Sequence, residues 1–485
     1  MSKLLVLFPI LFPFAIALMV AFLQFKKENR RNVFIISAVL INFIAMVFII
    51  AAKSESAVHL WTMNSFLDIY FRVDKMSILF SALASTLWIF TTIYSIDYMK
   101  HEGQERIFFV FFILTLGITM GIAFAGNLFT LYIFYELLTL ATFPLVIHSG
   151  TKEALSSGKR YLIYSFGGAT LVLCGMILLF SINNNMAFEA QGVLDAAALQ
   201  NPQLLSIIYV LMFLGFGVKA AIVPFHSWLP GAMVAPTPVS ALLHAVAVVK
   251  SGIFAIIRIT YYIFGAEAVR ATHDNIYLSV LIIITILLGS LLALHQENLK
   301  KRLAYSTISQ LGYILLGIIL LNGNALIGSL LHLVNHAVIK ITLFFCAGAI
   351  YFMTGKKNIS DIKGIGKTMP ITMWCFSIAS ISLIGIPPTN GLVSKWYLAL
   401  GGLNANRILF VVILLLSAFL TAAYLLPIII AAFFPGGESA EYQERKEPPL
   451  KMLIPIIILT GITVFLGFFP NVLLNFIKEI VRVVI

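Results

Sequence analysis

The sequence predicts an all-α polytopic membrane protein of about fourteen transmembrane helices, built as two inverted five-helix repeats with broken seventh and twelfth helices. Three observations carry that expectation: scarce charge, apolar runs of membrane length from end to end, and two proline breaks that each carry a lysine. Of 485 residues, 60% are hydrophobic and 11% charged, with a mean hydropathy of +1.00. A soluble domain carries about a quarter of its residues charged, so water is excluded as the principal solvent.

The apolar runs fall at 4 to 23, 33 to 52, 75 to 96, 107 to 126, 128 to 147, 161 to 182, 205 to 225, 238 to 263, 277 to 294, 303 to 321, 326 to 352, 371 to 401, 408 to 434 and 452 to 477. Most have the roughly 20 residues that a hydrocarbon core of about 30 Å requires. The first has no basic segment beyond Lys3 and no small-residue cleavage site, so it is expected to be a retained helix. The longest hydrophilic stretches, 183 to 204, 353 to 370 and 435 to 451, are too short for a separate soluble domain. One membrane domain, 1–485, is therefore expected: N-terminal helices in 1–106, a first repeat of helices four to eight in 107–264, a second of helices nine to thirteen in 276–434, and a last helix in 450–485.

The formal charge is +12, but the basic residues alternate with the helices instead of forming the single cluster a nucleic acid would need. Lys26, Lys27, Arg30, Arg31, Lys159, Arg160, Lys300, Lys301, Arg302, Lys356, Lys357, Arg445 and Lys446 follow odd-numbered runs. The intervening loops hold scattered residues such as Lys53, Arg72, Lys75, Arg270 and Arg407. The positive-inside rule then predicts a multi-pass protein of a prokaryotic cell membrane with odd loops in the cytoplasm and both termini outside. Cys174, Cys346 and Cys375 lie within apolar runs without CxxC spacing, which argues against disulfides, zinc and iron–sulfur clusters. No metal and no cofactor is expected.

Two runs are interrupted. Lys219 precedes Pro224 in the seventh, whereas Lys395 follows Pro387 and Pro388 in the twelfth, the reversed order that inverted repeats would give. Proline frees backbone carbonyls that lipid cannot satisfy, so such breaks persist where protein or water lines them. Packing kinks are the alternative for a lone proline.

Ionisable groups at the bilayer centre cost roughly 2.5–3.5 kcal/mol each on insertion scales, and function is the default reason to keep them. Glu136 lies well inside the fifth run and needs a buried cation, for which Lys219 is the candidate. A lysine alone in a dry site gives up its proton far more readily than one paired with a carboxylate, so making and breaking a pair can drive proton exchange. Lys250 lies six residues after His244 on the eighth helix; Arg258, near that helix's end, is expected to snorkel as a structural residue. His332, His336 and Lys340 repeat at spacing four and share one face of the eleventh helix. Packed, hydrogen-bonded core histidines are the alternative; one haem could not be held by two histidines so spaced on one helix.

The residues then resemble a known family. Pro224-Phe-His-Ser-Trp-Leu-Pro-Gly-Ala-Met-Val-Ala-Pro-Thr-Pro-Val-Ser-Ala-Leu-Leu-His244, Lys301-Arg-Leu-Ala-Tyr-Ser-Thr-Ile-Ser-Gln-Leu-Gly-Tyr313 and His332-Leu-Val-Asn-His-Ala-Val-Ile-Lys340 are similar to segments of the antiporter-like subunits of respiratory complex I, Mrp-type sodium/proton antiporters and membrane-bound energy-converting hydrogenases. The resemblance covers essentially the whole chain. It implies two inverted repeats, each with a half-channel, joined by a central line of charge and water. It implies that Glu136, Lys219, Lys250 and Lys395 carry proton translocation, with His244, His332, His336 and Lys340 as relay groups. It also implies a place among other membrane subunits of an antiporter or hydrogenase complex, with H+ and possibly Na+ as cargo. Lysine at 395, where some complex I subunits have glutamate, and the chain's end soon after its last helix favour an Mrp D-type or hydrogenase H-type subunit. An NADH-quinone oxidoreductase subunit is the alternative. Three readings compete with these: a chain binding quinone or metal itself, which would need ligand clusters the sequence does not show; a passive scaffold, which leaves the buried charges unexplained; and a stand-alone solute carrier, which would need a substrate pocket in the broken helices.

Overall fold

The computed structural model describes residues 3–52, 56–62, 67–434 and 445–485. Its helices, in chain order, are α1 (Lys3–Phe22), α2 (Glu28–Ala52), α3 (Lys75–Glu102), α4 (Glu105–Phe124), α5 (Leu128–Val146), α6 (Lys152–Ile182), α7 (Pro202–Lys219), α8 (Thr237–Phe264), α9 (Asp274–Leu294), α10 (Leu299–Ile319), α11 (Gly323–Thr354), α12a (Pro370–Ile384), α12b (Asn390–Asn404), α13 (Ile408–Phe433), α14 (Leu450–Phe468) and α15 (Asn471–Val484). Twelve of them among the described residues are long and apolar enough to cross a membrane, all but α10, the two halves of α12, and α15. The chain is a multi-pass membrane protein. α10 is less apolar than the twelve, with Lys300, Lys301 and Arg302 at its start and Ser306, Thr307, Ser309 and Gln310 along its length.

Burial separates centre from periphery. The apolar window of α8 is 100% buried, against 39% in α1, α2, α6, α13 and α14, so α8 is wrapped by protein while the others present apolar faces outward. At helix starts, side chains supply the acceptors that N-terminal amides lack: Asp74 for α3, Asn127 for α5, Thr151 for α6, Asn298 for α10 and Asn322 for α11.

Three differences from the sequence expectation have local causes. Between α2 and α3 runs an antiparallel hairpin, β1 (Ser56–Thr62) with β2 (Asp68–Val73), instead of a loop. It is anchored over the start of α5, where Asn127 Nδ2 donates to Asp68 O at 2.7 Å and Gly126 N to Tyr70 O at 3.1 Å. Second, the run at 452 to 477 is not one helix. α14 ends at Phe468, Pro470 opens a new one, and α15 buries Leu474, Ile477, Ile480, Val481 and Val484 while Lys478, Glu479 and Arg482 lie on other faces. That is an amphipathic helix, unlike a span. Third, α6 begins nine residues earlier than 161, which places Lys159 and Arg160 on the helix. Lys53 and the 435–444 part of the last hydrophilic loop lie outside the described residues.

Both proline breaks form. α7 ends at Lys219 and the chain turns through 220–227 around Pro224; α12a ends at Ile384 and α12b resumes at Asn390, beyond Pro387 and Pro388. A third break had no sequence signal: α8 is interrupted at Val246 and Ala247, between its segments Thr237–Ala245 and Val248–Arg258.

Candidate functional site

Two of the helix breaks, in α8 and α12, bring buried cations to free carbonyls. At α8, the interruption leaves the His244 carbonyl without its helical donor, and Lys250 Nζ reaches back to it at 2.6 Å. The same ammonium lies 2.7 Å from His336 Nδ1 on α11. With Nδ1 accepting, a neutral His336 carries its proton on Nε2. At α12, Lys395 Nζ donates to the carbonyls of Leu383 and Ile384, both at 2.7 Å, which are terminal acceptors of α12a. Gly385 makes this possible: its φ of +94° is the left-handed closure of a helix C-terminus, and a Cβ there would stand 3.0 Å from the Lys395 side chain. At the end of α7, Lys219 Nζ donates to the Tyr135 carbonyl and sits 3.4 Å from the centre of the Tyr135 ring.

Between these points the groups connect. His332 lies one turn before His336 with ring centres 5.9 Å apart. Its Nδ1 is 2.9 Å from Ser394 Oγ and its Nε2 3.0 Å from Gln310 Oε1, while the Tyr313 ring stacks on it at 5.5 Å. Ser394 precedes Lys395, and Lys395 Nζ is 5.3 Å from the Tyr313 ring centre. His244 stacks on Phe344 of α11 at 4.7 Å. Lys340, two turns along α11 from His332, points elsewhere: it donates to Leu303 O, at 3.0 Å, and to Ser306 Oγ on α10. Lys219, Lys250, His244, His332, His336 and Lys340 are all buried; Glu136 and Lys395 are half-buried.

The direct Glu136–Lys219 ion pair expected from sequence is absent among the described residues. Glu136 Oε1 is buried with no hydrogen-bond partner, and Lys219 takes the carbonyl of the residue before it. The Tyr135 carbonyl and ring take up the Lys219 ammonium, and Glu136 interacts with it by charge alone, without a hydrogen bond. Arg258 also departs from expectation. It does not snorkel: it is 1% exposed and pairs with Asp74, Nη1 to Oδ2 at 2.6 Å and Nη2 to Oδ1 at 2.9 Å, with Phe188, Phe254 and Tyr262 around its guanidinium. Asp74 lies 184 residues away in sequence, so no local signal links the two.

Gln310, Tyr313, Ser394 and Asp74 were missed as site neighbours. Gln310 and Tyr313 lie three apart within the run 301–313 and share a face of α10, a polar signal that could have pointed to α11. Helices α7 and α8 are brought into close contact by Gly252. A Cβ there would lie 2.8 Å from Phe216 O, 2.8 Å from Ala220 N and 3.2 Å from Lys219 C, so α8 crosses α7 at the lysine with no room for a side chain. Gly252→Ala is expected to destabilise the protein by about 1–3 kcal/mol. Gly461→Ala, where the added atom meets nothing within 4 Å, should leave stability unimpaired. Thermal unfolding of both variants in detergent checks this.

Residues 125–421 match the family model described as NADH:quinone oxidoreductase/Mrp antiporter, TM. The chain is 36% identical over 385 residues to NADH-quinone oxidoreductase subunit N of Desulforudis audaxviator (strain MP104C), covering 77% of this chain and 76% of the relative. It is 31% identical over 495 residues to the A-type subunit of the Na(+)/H(+) antiporter of Alkalihalophilus pseudofirmus (strain ATCC BAA-2126 / JCM 17055 / OF4), covering 95% of this chain but 60% of that longer relative. Among solved structures, a chain of the Mrp complex from Dietzia sp. DQ12-45-1b superposes with a TM-score of 0.86 at 22% identity, over 100% of this chain and 98% of that one. A chain of an archaeal membrane-bound sulfane sulfur reductase gives 0.87 at 22% identity, over 99% and 97%. These two establish the fold. Matched over most of its length and more than 30% identical to curated relatives, the chain belongs to the NADH:quinone oxidoreductase/Mrp antiporter transmembrane family.

Proposed function

We propose that this chain is the proton-translocating, antiporter-like subunit of a multisubunit cation/proton antiporter of the Mrp Na+/H+ type or of a related membrane-bound hydrogenase complex. Protons pass along Glu136, Lys219, Lys250, His336, His332 and Lys395, with His244 beside Lys250. The observation that carries this is the contact of Lys250 Nζ with both the His244 carbonyl and His336 Nδ1, which joins the two halves of the molecule through exchangeable protons. Lys340 holds a side position, where its positive charge next to α10 biases the protonation of the central groups.

Buried polar atoms in native proteins are normally paired, by water where no protein group reaches them. Glu136 Oε1, both ring nitrogens of His244, Gln310 Nε2 and His336 Nε2 are buried without a protein partner, and their place along this line supports a hydrated route. The break at Pro387 and Pro388 puts the terminal carbonyls of α12a beside Lys395, and the break at Pro224 follows the end of α7 at Lys219. In this reading fourteen spans result when α10 and α12 are counted, helices four to eight (107–264) and nine to thirteen (276–434) form inverted repeats, and 1–106 and 450–485 flank them. The basic loops face the cytoplasm of a prokaryotic cell membrane and both termini lie outside. Lys395 supports a D-type or hydrogenase H-type position, and other membrane subunits are the partners.

Glu136→Gln in the assembled complex is expected to abolish coupled transport and leave assembly intact. Proton uptake by everted vesicles, normalised to complex in the membrane, measures it, and transport at the original rate would refute the proposal. A second assignment, a proton-pumping subunit of an NADH-quinone oxidoreductase-like enzyme, is favoured by the subunit N relative. Purification of the intact complex separates the assignments: small Mrp-type membrane subunits alone would accompany an antiporter, a nickel–iron hydrogenase subunit the hydrogenase complex, and iron–sulfur subunits without a hydrogenase the NADH-quinone oxidoreductase-like enzyme.

A further inference from the structure

We infer that Glu447 is a positioning residue for Lys395, a carboxylate far from the buried line that fixes the half-helix holding its terminal lysine. The inference rests on the role proposed above for Lys395.

α12a is 15 residues long and has no side-chain cap of its own. Pro370 is its first residue, Met369 before it gives no side-chain cap, and the amides of Ile371 and Thr372 would be left as orphan donors. Glu447, on the segment leading into α14, supplies what Met369 cannot. Its Oε1 accepts from Ile371 N at 2.6 Å and Thr372 N at 3.4 Å; its Oε2 accepts from Thr372 N at 3.3 Å and Thr372 Oγ1 at 2.6 Å. The neighbouring Lys446 N donates to Thr368 O at 2.9 Å, a second tie between the same segments.

The opposite end of α12a presents the carbonyls of Leu383 and Ile384 to the Lys395 ammonium. One short helix therefore carries a carboxylate at its positive end and an ammonium at its negative end, both aligned with its dipole. The carbonyls that hold Lys395 are positioned by a rod about 22 Å long at 1.5 Å per residue, gripped at its far end by Glu447. The terminal relay charge is thus tied to a surface segment between α13 and α14, where a neighbouring subunit or a change of charge can act on it.

The test uses the full complex in membranes and two readouts: amide hydrogen exchange in peptides covering 370–384, and the pH profile of proton-coupled transport. Glu447→Ala should speed exchange across the start of α12a by roughly tenfold, leave α9 unchanged, and shift the pH profile. Glu447→Asp should restore most of both. If Glu447→Ala does not assemble, Glu447→Gln, which keeps an acceptor oxygen but no charge, is judged on the same two readouts with a smaller shift expected. Unchanged exchange across 370–384, or faster exchange with an unmoved pH profile, overturns the inference. Lys395→Met serves as the control: normal transport in that variant would remove Lys395 from the relay, while hydrogen exchange would still decide whether Glu447 clamps α12a.

Discussion

Lys250→Met is expected to lower proton-coupled transport by at least about 100-fold, the scale set by removing a positioned proton-transfer group, in a chain that still inserts and folds. Methionine matches the lysine stem in length, so the fully buried volume stays filled. What disappears is the one group touching both the His244 carbonyl and His336 Nδ1. Lys250→Arg separates proton exchange from mere charge, because guanidinium keeps its proton at any physiological pH. It should be about as inactive as methionine. Transport in reconstituted vesicles measures both; an arginine variant at the original rate would show that the position needs only a positive charge and that the proton takes another path.

Asp74→Asn should be the most destabilising single substitution, costing about 3–5 kcal/mol, because it strips the counter-ion from an Arg258 that cannot reach water. Burial alone would raise the Asp74 carboxyl; the facing Arg258 guanidinium and the Ser77 hydrogen bonds outweigh it and hold the group below the ordinary carboxylate range. A depressed carboxyl stabilises the fold at neutral pH and loses that contribution as pH falls through its folded value. Thermal unfolding in detergent should therefore show a lower midpoint for Asp74→Asn at neutral pH and a shrinking difference from the parent protein on acidification. Asp74→Asn combined with Arg258→Met should recover part of the loss, since an apolar pair tolerates this site where an unpaired cation does not. No recovery would mean that the aromatic cage of Phe254 and Tyr262, and not the ion pair, sets the stability here.

Much of the fold was legible because lipid imposes one rule along the whole chain. Every backbone group must be satisfied within its own segment, so length and hydropathy alone locate helices such as α4 and α13. Where water competes for the backbone that rule lapses, and the reading lapses with it. The β1–β2 hairpin and the amphipathic α15 lie where chain length could be assigned to a loop or a span with equal ease. The break in α8 carries neither proline nor glycine; Val246 and Ala247 unwind because the lysine three residues on solvates the freed carbonyl.

The sequence by itself determined the helical membrane class, the family, and the identity of the costly residues, since Glu136, Lys219, Lys250, His332, His336 and Lys395 stand out against an apolar background wherever they point. Only the tertiary structure decided their partners. Lys219 binds a backbone carbonyl and not Glu136, Arg258 is neutralised by Asp74, and α12a is capped by Glu447 from 76 positions beyond Ile371. The physical reason is that burial cost belongs to a residue and can be read from its type. Satisfaction of that cost belongs to a neighbourhood, which exists only once distant segments have packed.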